Sequence, residues 1–210
     1  VWGTLFRGQK VHVMPVDSGA FGAYSFGGFS GILPAALAAN SEIFQFRWVD
    51  VSRFAIVRRV RISASVSTTF FAAGVPLQLT LVKATGWTVA GTGGTAITLA
   101  ATVKKRTSMG SSLLAAGDMR IATTAALGAG TKTLEANAMG SILAGGPITG
   151  SLNGTIIAPG TIMFECEVGH GDHPLVLAQN EGFSIRSVAV PATGTWQIGV
   201  DVDWAETDTY

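Results

Sequence analysis

Charge is scarce in this sequence. Only 13% of its 210 residues are Asp, Glu, Lys or Arg, about half the usual share of a globular domain. Fourteen basic against thirteen acidic residues leave a formal net charge of +1, so no global field draws the chain to nucleic acid or to an anionic membrane. Too few charges remain to cover a lone monomer in the ordinary way, and part of the surface is expected to be covered by partners. Cysteine is scarcer still. Cys166 stands alone, which excludes an intrachain disulfide and the small stapled domains that depend on one. Long apolar runs are also missing: no charge falls between Ser18 and Ser41, but Gly19, Gly22, Gly27, Gly28, Gly31 and Pro34 interrupt that stretch too often for a spanning helix. The opening "VWGTLFRGQK" lacks the basic-then-apolar design of a signal peptide. Helical periodicity is absent apart from a short turn at "LPAALAAN".

Period-two alternation is present instead. In "TWQIGVDVDWAE" the residues Trp196, Ile198, Val200, Val202 and Trp204 alternate with Thr195, Gln197, Gly199, Asp201 and Asp203, which predicts a strand with one buried face. "GFSIRSVAV" precedes it, and "PATG" supplies turn residues Pro191 and Gly194, so residues 182–206 are expected to form an antiparallel hairpin. Further strands are expected at "EIFQFRW" and "PLQLTLV". In "RFAIVRRVRISASVS" Phe54, Ile56, Val60, Ile62 and Val66 share a face, and Arg58 intrudes on it, the mark of a bulge. Weaker candidates are "GTAITLAA", "MRIATTAAL", "TLEANAMGSIL", "GTIIAPGTIMFECEV" and "HPLVLAQ". About eight to ten short strands with 27 glycines and no helical crossovers predict an all-β antiparallel β-sandwich, of jelly-roll type. Residues 41–210 are expected to form this single domain. Residues 1–40, rich in Gly and in aromatics such as Trp2, Phe6, Phe21, Tyr24, Phe26 and Phe29, are expected to form an extended arm that orders on neighbouring subunits.

The chemistry-bearing residues are few. "CEVGHGDHPLVLAQNEGF" gathers Cys166, His170, Asp172, His173 and Glu181. A spacing of three sends His170 and His173 to opposite faces of an extended strand, while Gly169, Gly171 and Pro174 mark a turn, and His12 lies in the expected arm. A polar turn with Asp172 capping backbone amides is the expected role, with no metal and no cofactor. Cys166 sits within apolar alternation as a core side chain, although a thiolate pair with His170 is the chemical alternative. No nucleophile elbow occurs, and the glycine-rich "GTGG" and "GGPITG" lack the Lys-Ser/Thr and helix of a phosphate cradle. Asp201 and Asp203, two apart, read as a solvated strand face before a glycosidase pair or a Ca²⁺ site. Arg53, Arg58, Arg59 and Arg61, with Lys104, Lys105 and Arg106, read as a solvated or interface-facing surface before a phosphate site; no aromatic residues interleave them for nucleic acid.

Three phrases, "HPLVLAQNEGFSIRSVAVPATGTWQIGVDVDWAE", "SEIFQFRWVD" and "KKRTSMGSSL", resemble a group of uncharacterised structural proteins encoded in tailed-bacteriophage genomes, a likeness covering residues 40–206. The resemblance implies a virion component of β-sandwich type, and no catalytic residues carry over from it. The expected function is therefore a non-enzymatic particle protein, a capsid-associated decoration or cement subunit in contact with copies of itself and other virion proteins, with no membrane and no specific nucleic acid as partner. The alternative is a glycan- or receptor-binding sandwich of an adhesin or tail tip, for which Trp87, in the expected loop Gly86–Gly94, is the candidate aromatic platform; a metal-dependent cupin-like enzyme is a third class.

Overall fold

A computed structural model describes residues 22–35, 37–67, 76–99, 103–145, 155–167, 172–190, 192–208 and 210. Among them are thirteen strands and no helix: β1 (Gly22–Phe29), β2 (Leu33–Pro34), β3 (Ser41–Trp48), β4 (Phe54–Val66), β5 (Leu77–Val89), β6 (Thr95–Ala96), β7 (Met119–Ile121), β8 (Thr131–Leu134), β9 (Gly140–Ala144), β10 (Thr155–Glu165), β11 (Leu175–Leu177), β12 (Glu181–Ala189) and β13 (Thr195–Thr207). They form two antiparallel sheets. Sheet A runs β1-β13-β4-β10, with β11 also on β4 and β2 on β13; sheet B runs β6-β7-β3-β12-β5-β8, with β9 also on β5. The chain is an all-β sandwich. This strand order establishes the two layers and goes no further toward the expected jelly-roll winding.

Each sheet is built on a long strand whose free edge is covered by two others in line. Along β4, β10 pairs with Arg59–Ser65 and β11 with Ala55–Val57; along β5, β8 pairs with Ala84–Val89 and β9 with Leu77–Leu81. The break on β4 falls at Arg58. Asp203 pairs with Arg59 and Trp204 with Val57, so Arg58 is the extra residue of a bulge. A polar residue on the apolar side is thereby skipped, and side-chain parity inverts beyond it: Val60, Ile62, Ala64 and Val66 face the core on one side of the bulge, Val57 and Ala55 on the other.

The core joins the sheets through a chain of rings. Tyr24 stacks on Trp204 at 5.5 Å, Trp204 meets Phe46 edge-on at 5.6 Å, Phe46 stacks on Phe183 at 5.2 Å, and Phe183 leads through Phe44 to Phe26. Such pairs add about 0.5–1.5 kcal/mol each beyond the area they bury.

Two sequence expectations are corrected. Residues 182–206 are not a hairpin: β12 lies in sheet B between β3 and β5, and β13 lies in sheet A between β1 and β4. Turn residues mark a reversal of the chain without saying which sheet the next strand joins. Here the turn is tied to sheet A by the amides of Ala35 and Ser67, which donate to the carbonyls of Gly194 and Thr195. Nor is the described part of the expected arm outside the sandwich. β1 pairs with β13 from Gly22↔Glu206 to Phe29↔Gly199, and Tyr24 and Leu33 are fully buried. Glycines at 22, 27 and 28 hide an alternation that the flanking rings complete; residues 1–21 lie outside the described residues.

Candidate binding face on sheet A

The residues of the histidine-bearing stretch have separate tasks. It connects β10 to β11 past the bulge, where the Cys166 amide donates to the Arg58 carbonyl at 2.8 Å. Asp172 accepts the Glu167 amide at 3.4 Å, the Asp172 carbonyl accepts the Cys166 thiol at 3.5 Å, and Glu181 accepts the Ala178 amide at 2.9 Å. His173 lies against Tyr210, Nε2 to hydroxyl 3.3 Å, with its Nδ1 2.7 Å from the Pro174 carbonyl. Burial first, then the Asp172 carboxylate, pushes the Cys166 thiol up, away from the thiolate that nucleophilic chemistry needs. Cys166 is half-buried and stands outside the main core, where the sequence placed it inside. Among the described residues no three of His, Cys, Asp and Glu converge as a metal site; His12 and His170 lie outside them.

Trp87 is also displaced from its expected role. It belongs to β5 and is 1% exposed. It lies against Gly182, where a Cβ would come within 2.9 Å of the ring, and its ring carries Lys132 Nζ at 4.0 Å. Lys132 pairs with Glu42 at 2.7 Å; Gln45 Nε2, at 2.6 Å, and the Ser184 hydroxyl donate to the same Glu42 oxygen. Burial lowers the Lys132 pKa, against the pull of Glu42. This buried set fastens β8 over the outer side of β3 and β12, and it leaves no aromatic platform at residue 87.

The outer face of sheet A is where polar groups meet solvent, and the register arranges it in rows. Ser25, Asp203, Arg59 and Glu165 form the first, and Gly27, Asp201, Arg61 and Ile162 the second. Phe29, Gly199 and Ser63 form the third, and Gln197, Ser65 and Thr155 the fourth. The first row is a closed ion-pair network. Asp203 is gripped by the Arg59 guanidinium and by Lys105 at 2.8 Å, and Arg59 reaches Glu165 at 3.5 Å. Burial raises the Asp203 pKa, but the hydrogen bonds from Lys105, Ser25 and Arg59 together outweigh it and hold the carboxyl below its ordinary value. Asp201 is exposed, as a solvated strand face requires, whereas Asp203 is buried and paired.

Charge gives way at the third and fourth rows to a hollow of about 320 Å³ whose lining, among the described residues, carries no charge. Its floor is Gly199 with Ser63 and Ser65; Gln197 and Thr155 close one end, and Pro159, where β10 swings away from β4, forms a wall. Phe29 forms the opposite side, 79% exposed. A Cβ at Gly199 would lie 2.5 Å from the Ser63 hydroxyl oxygen and 3.1 Å from the Phe29 ring, so glycine is what lets the ring edge rest on the sheet. The signal for Phe29 was its parity: Tyr24, Phe26 and Gly28 face inward, which turns Phe29 outward.

Searches of protein families, curated proteins and solved structures return no match. Among the described residues no helix is long and apolar enough to cross a membrane.

Proposed function

We propose that this protein is a non-enzymatic subunit of a bacteriophage particle, attached to the capsid as a decoration or cement subunit, and that it works through repeated contacts with copies of itself and with other virion proteins. The observation that carries the reading is apolar exposure on a surface with little spare charge. Leu143 on β9 and Ile162 on β10 stand 68% and 52% exposed on the edge strands where the two sheets meet, the backbone of Met163 packing on Gly140. Two nearby cations are spent within the chain, Arg59 on Asp203 and Glu165 and Lys83 on Glu135 at 2.9 Å, while Arg61 stands opposite Ile162 in the register. Single exposed apolar side chains are ordinary; here they accompany a charge content about half the usual and the resemblance to tailed-phage structural proteins. Covering such side chains contributes about 25 cal/mol per Å² of apolar area before the costs of association, and repetition around a particle makes modest contacts durable.

The test is co-sedimentation with purified particles that lack the subunit. The wild-type chain is expected to sediment with them, and a Leu143→Asp, Ile162→Asp variant with unchanged circular dichroism is expected to stay in the supernatant. A wild-type chain that never sediments, or a variant that sediments equally well, overturns the proposal.

A further inference from the structure

From the third and fourth rows of sheet A, we infer that the hollow beside Phe29 is a binding site for a neutral saccharide. Among the described residues no charged side chain lines it, so these residues offer no counter-charge to a phosphate, a carboxylate or an ammonium group, and the ion pairs of the first row are closed on themselves. What it offers is an uncovered aromatic ring beside a group of hydroxyls and one carboxamide. Those are the two halves of a sugar ring's chemistry. The electron-rich face of Phe29 suits the weakly positive C–H groups on the apolar side of a pyranose. Ser63, Ser65 and Thr155 each both donate and accept, as sugar hydroxyls do, and Gln197, whose Nε2 donates to the Ser30 carbonyl at 3.3 Å, keeps its carboxamide oxygen as an acceptor. A purely apolar ligand would leave those hydroxyls unpaired, at a cost.

The dimensions agree. From β1 to β10 the floor crosses three strand spacings, about 14 Å, room for one sugar ring and part of the next, and a volume of about 320 Å³ is at the small end of ligand sites. The hollow is rigid because its floor is ladder-paired backbone of β13 and β4 and because Gly199 seats the ring. Being half-open, a single site binds weakly; an array of copies would bind a glycan-coated surface through avidity. The inference does not depend on the particle reading, since the hollow belongs to one isolated chain.

The experiment uses the ¹⁵N-labelled full chain titrated with the methyl glycosides of glucose, galactose, mannose and N-acetylglucosamine and with their common disaccharides. At least one is expected to shift the amides of Ser63, Ser65, Gln197 and Gly199. Phe29→Ala, at an exposed position that leaves the core intact, is expected to weaken that binding about tenfold, while Leu143→Ala leaves it unchanged. Three results overturn the inference: no shifts in this group with any glycoside, shifts that survive Phe29→Ala undiminished, or a change of oligomeric state in Phe29→Ala, which would make the hollow a contact between copies. None of these touches the co-sedimentation result.

Discussion

Trp204 shows how much one side chain carries in this sandwich. Its ring is sealed between Tyr24 and Phe46, and its Nε1 donates to Glu206 at 3.2 Å. Trp204→Ala is expected to cost about 3–5 kcal/mol, read as a lower denaturant midpoint. Asp203 carries a different kind of stability. Its folded pKa lies below the unfolded value, which is about 3.9, so it stabilises the fold above that value and the contribution is lost as pH falls through it toward the lower folded value. Asp203→Asn should therefore flatten the acid limb of the stability profile below about pH 4 while lowering stability at pH 7. Glu206 works in the opposite sense. Burial raises its pKa, against hydrogen bonds from Ser112, Leu113 and Trp204. A carboxyl whose pKa is higher in the fold than in the unfolded chain subtracts from stability where it is ionised, and that penalty is relieved as acid protonates it in the fold. Glu206 also contributes, after burial itself, to pushing the Tyr24 hydroxyl up to about 12. An acid profile of the wild type that tracks the Asp203→Asn variant throughout would mean that the first-row network contributes nothing.

At the level of elements, the fastening of β8 to sheet B rests on Lys132, whose side chain is buried with Glu42. Lys132→Ala leaves a buried carboxylate without its cation, and a loss of about 3–5 kcal/mol is expected, measured by chemical denaturation, with hydrogen exchange rising first in β8. Strands with sustained alternation were legible in the sequence: β13 from its five apolar positions, β3, the start of β5, and β4 as far as its bulge at the intruding Arg58, beyond which Ala55 and Val57 take the core face expected of Phe54 and Ile56. Their partners were not, because period two states which face is buried and is silent about the neighbour; β12 and β13 adjoin in sequence and part into different sheets. β1 was missed because glycine carries no hydropathy signal at the positions where its alternation would have shown. The Phe29 hollow was missed with it, since the strand must be known before its outward residue can be. Trp87 was misplaced because Gly86, with φ 59, looks like a loop residue and is in fact a kink inside β5, beyond which the tryptophan folds down on Gly182.

For the whole molecule, the N-terminal boundary decides what can be cut away. Deleting residues 1–40 removes β1 and β2, opens the edge of β13 and takes Tyr24 from the aromatic chain; the product is expected to be unfolded or aggregated by circular dichroism and limited proteolysis. A folded product would show that β1 is dispensable to the core. The particle reading faces its most direct test when the full chain, tagged at its C terminus, is expressed during infection by the phage proposed to carry it, and the purified particles are imaged by single-particle cryo-electron microscopy while the subunit is counted by mass spectrometry. The account predicts a fixed number of copies per particle at regular positions on the shell, joined through the side that carries Leu143 and Ile162. A chain that remains in the soluble fraction, with complete particles carrying no copies of it, would contradict the account.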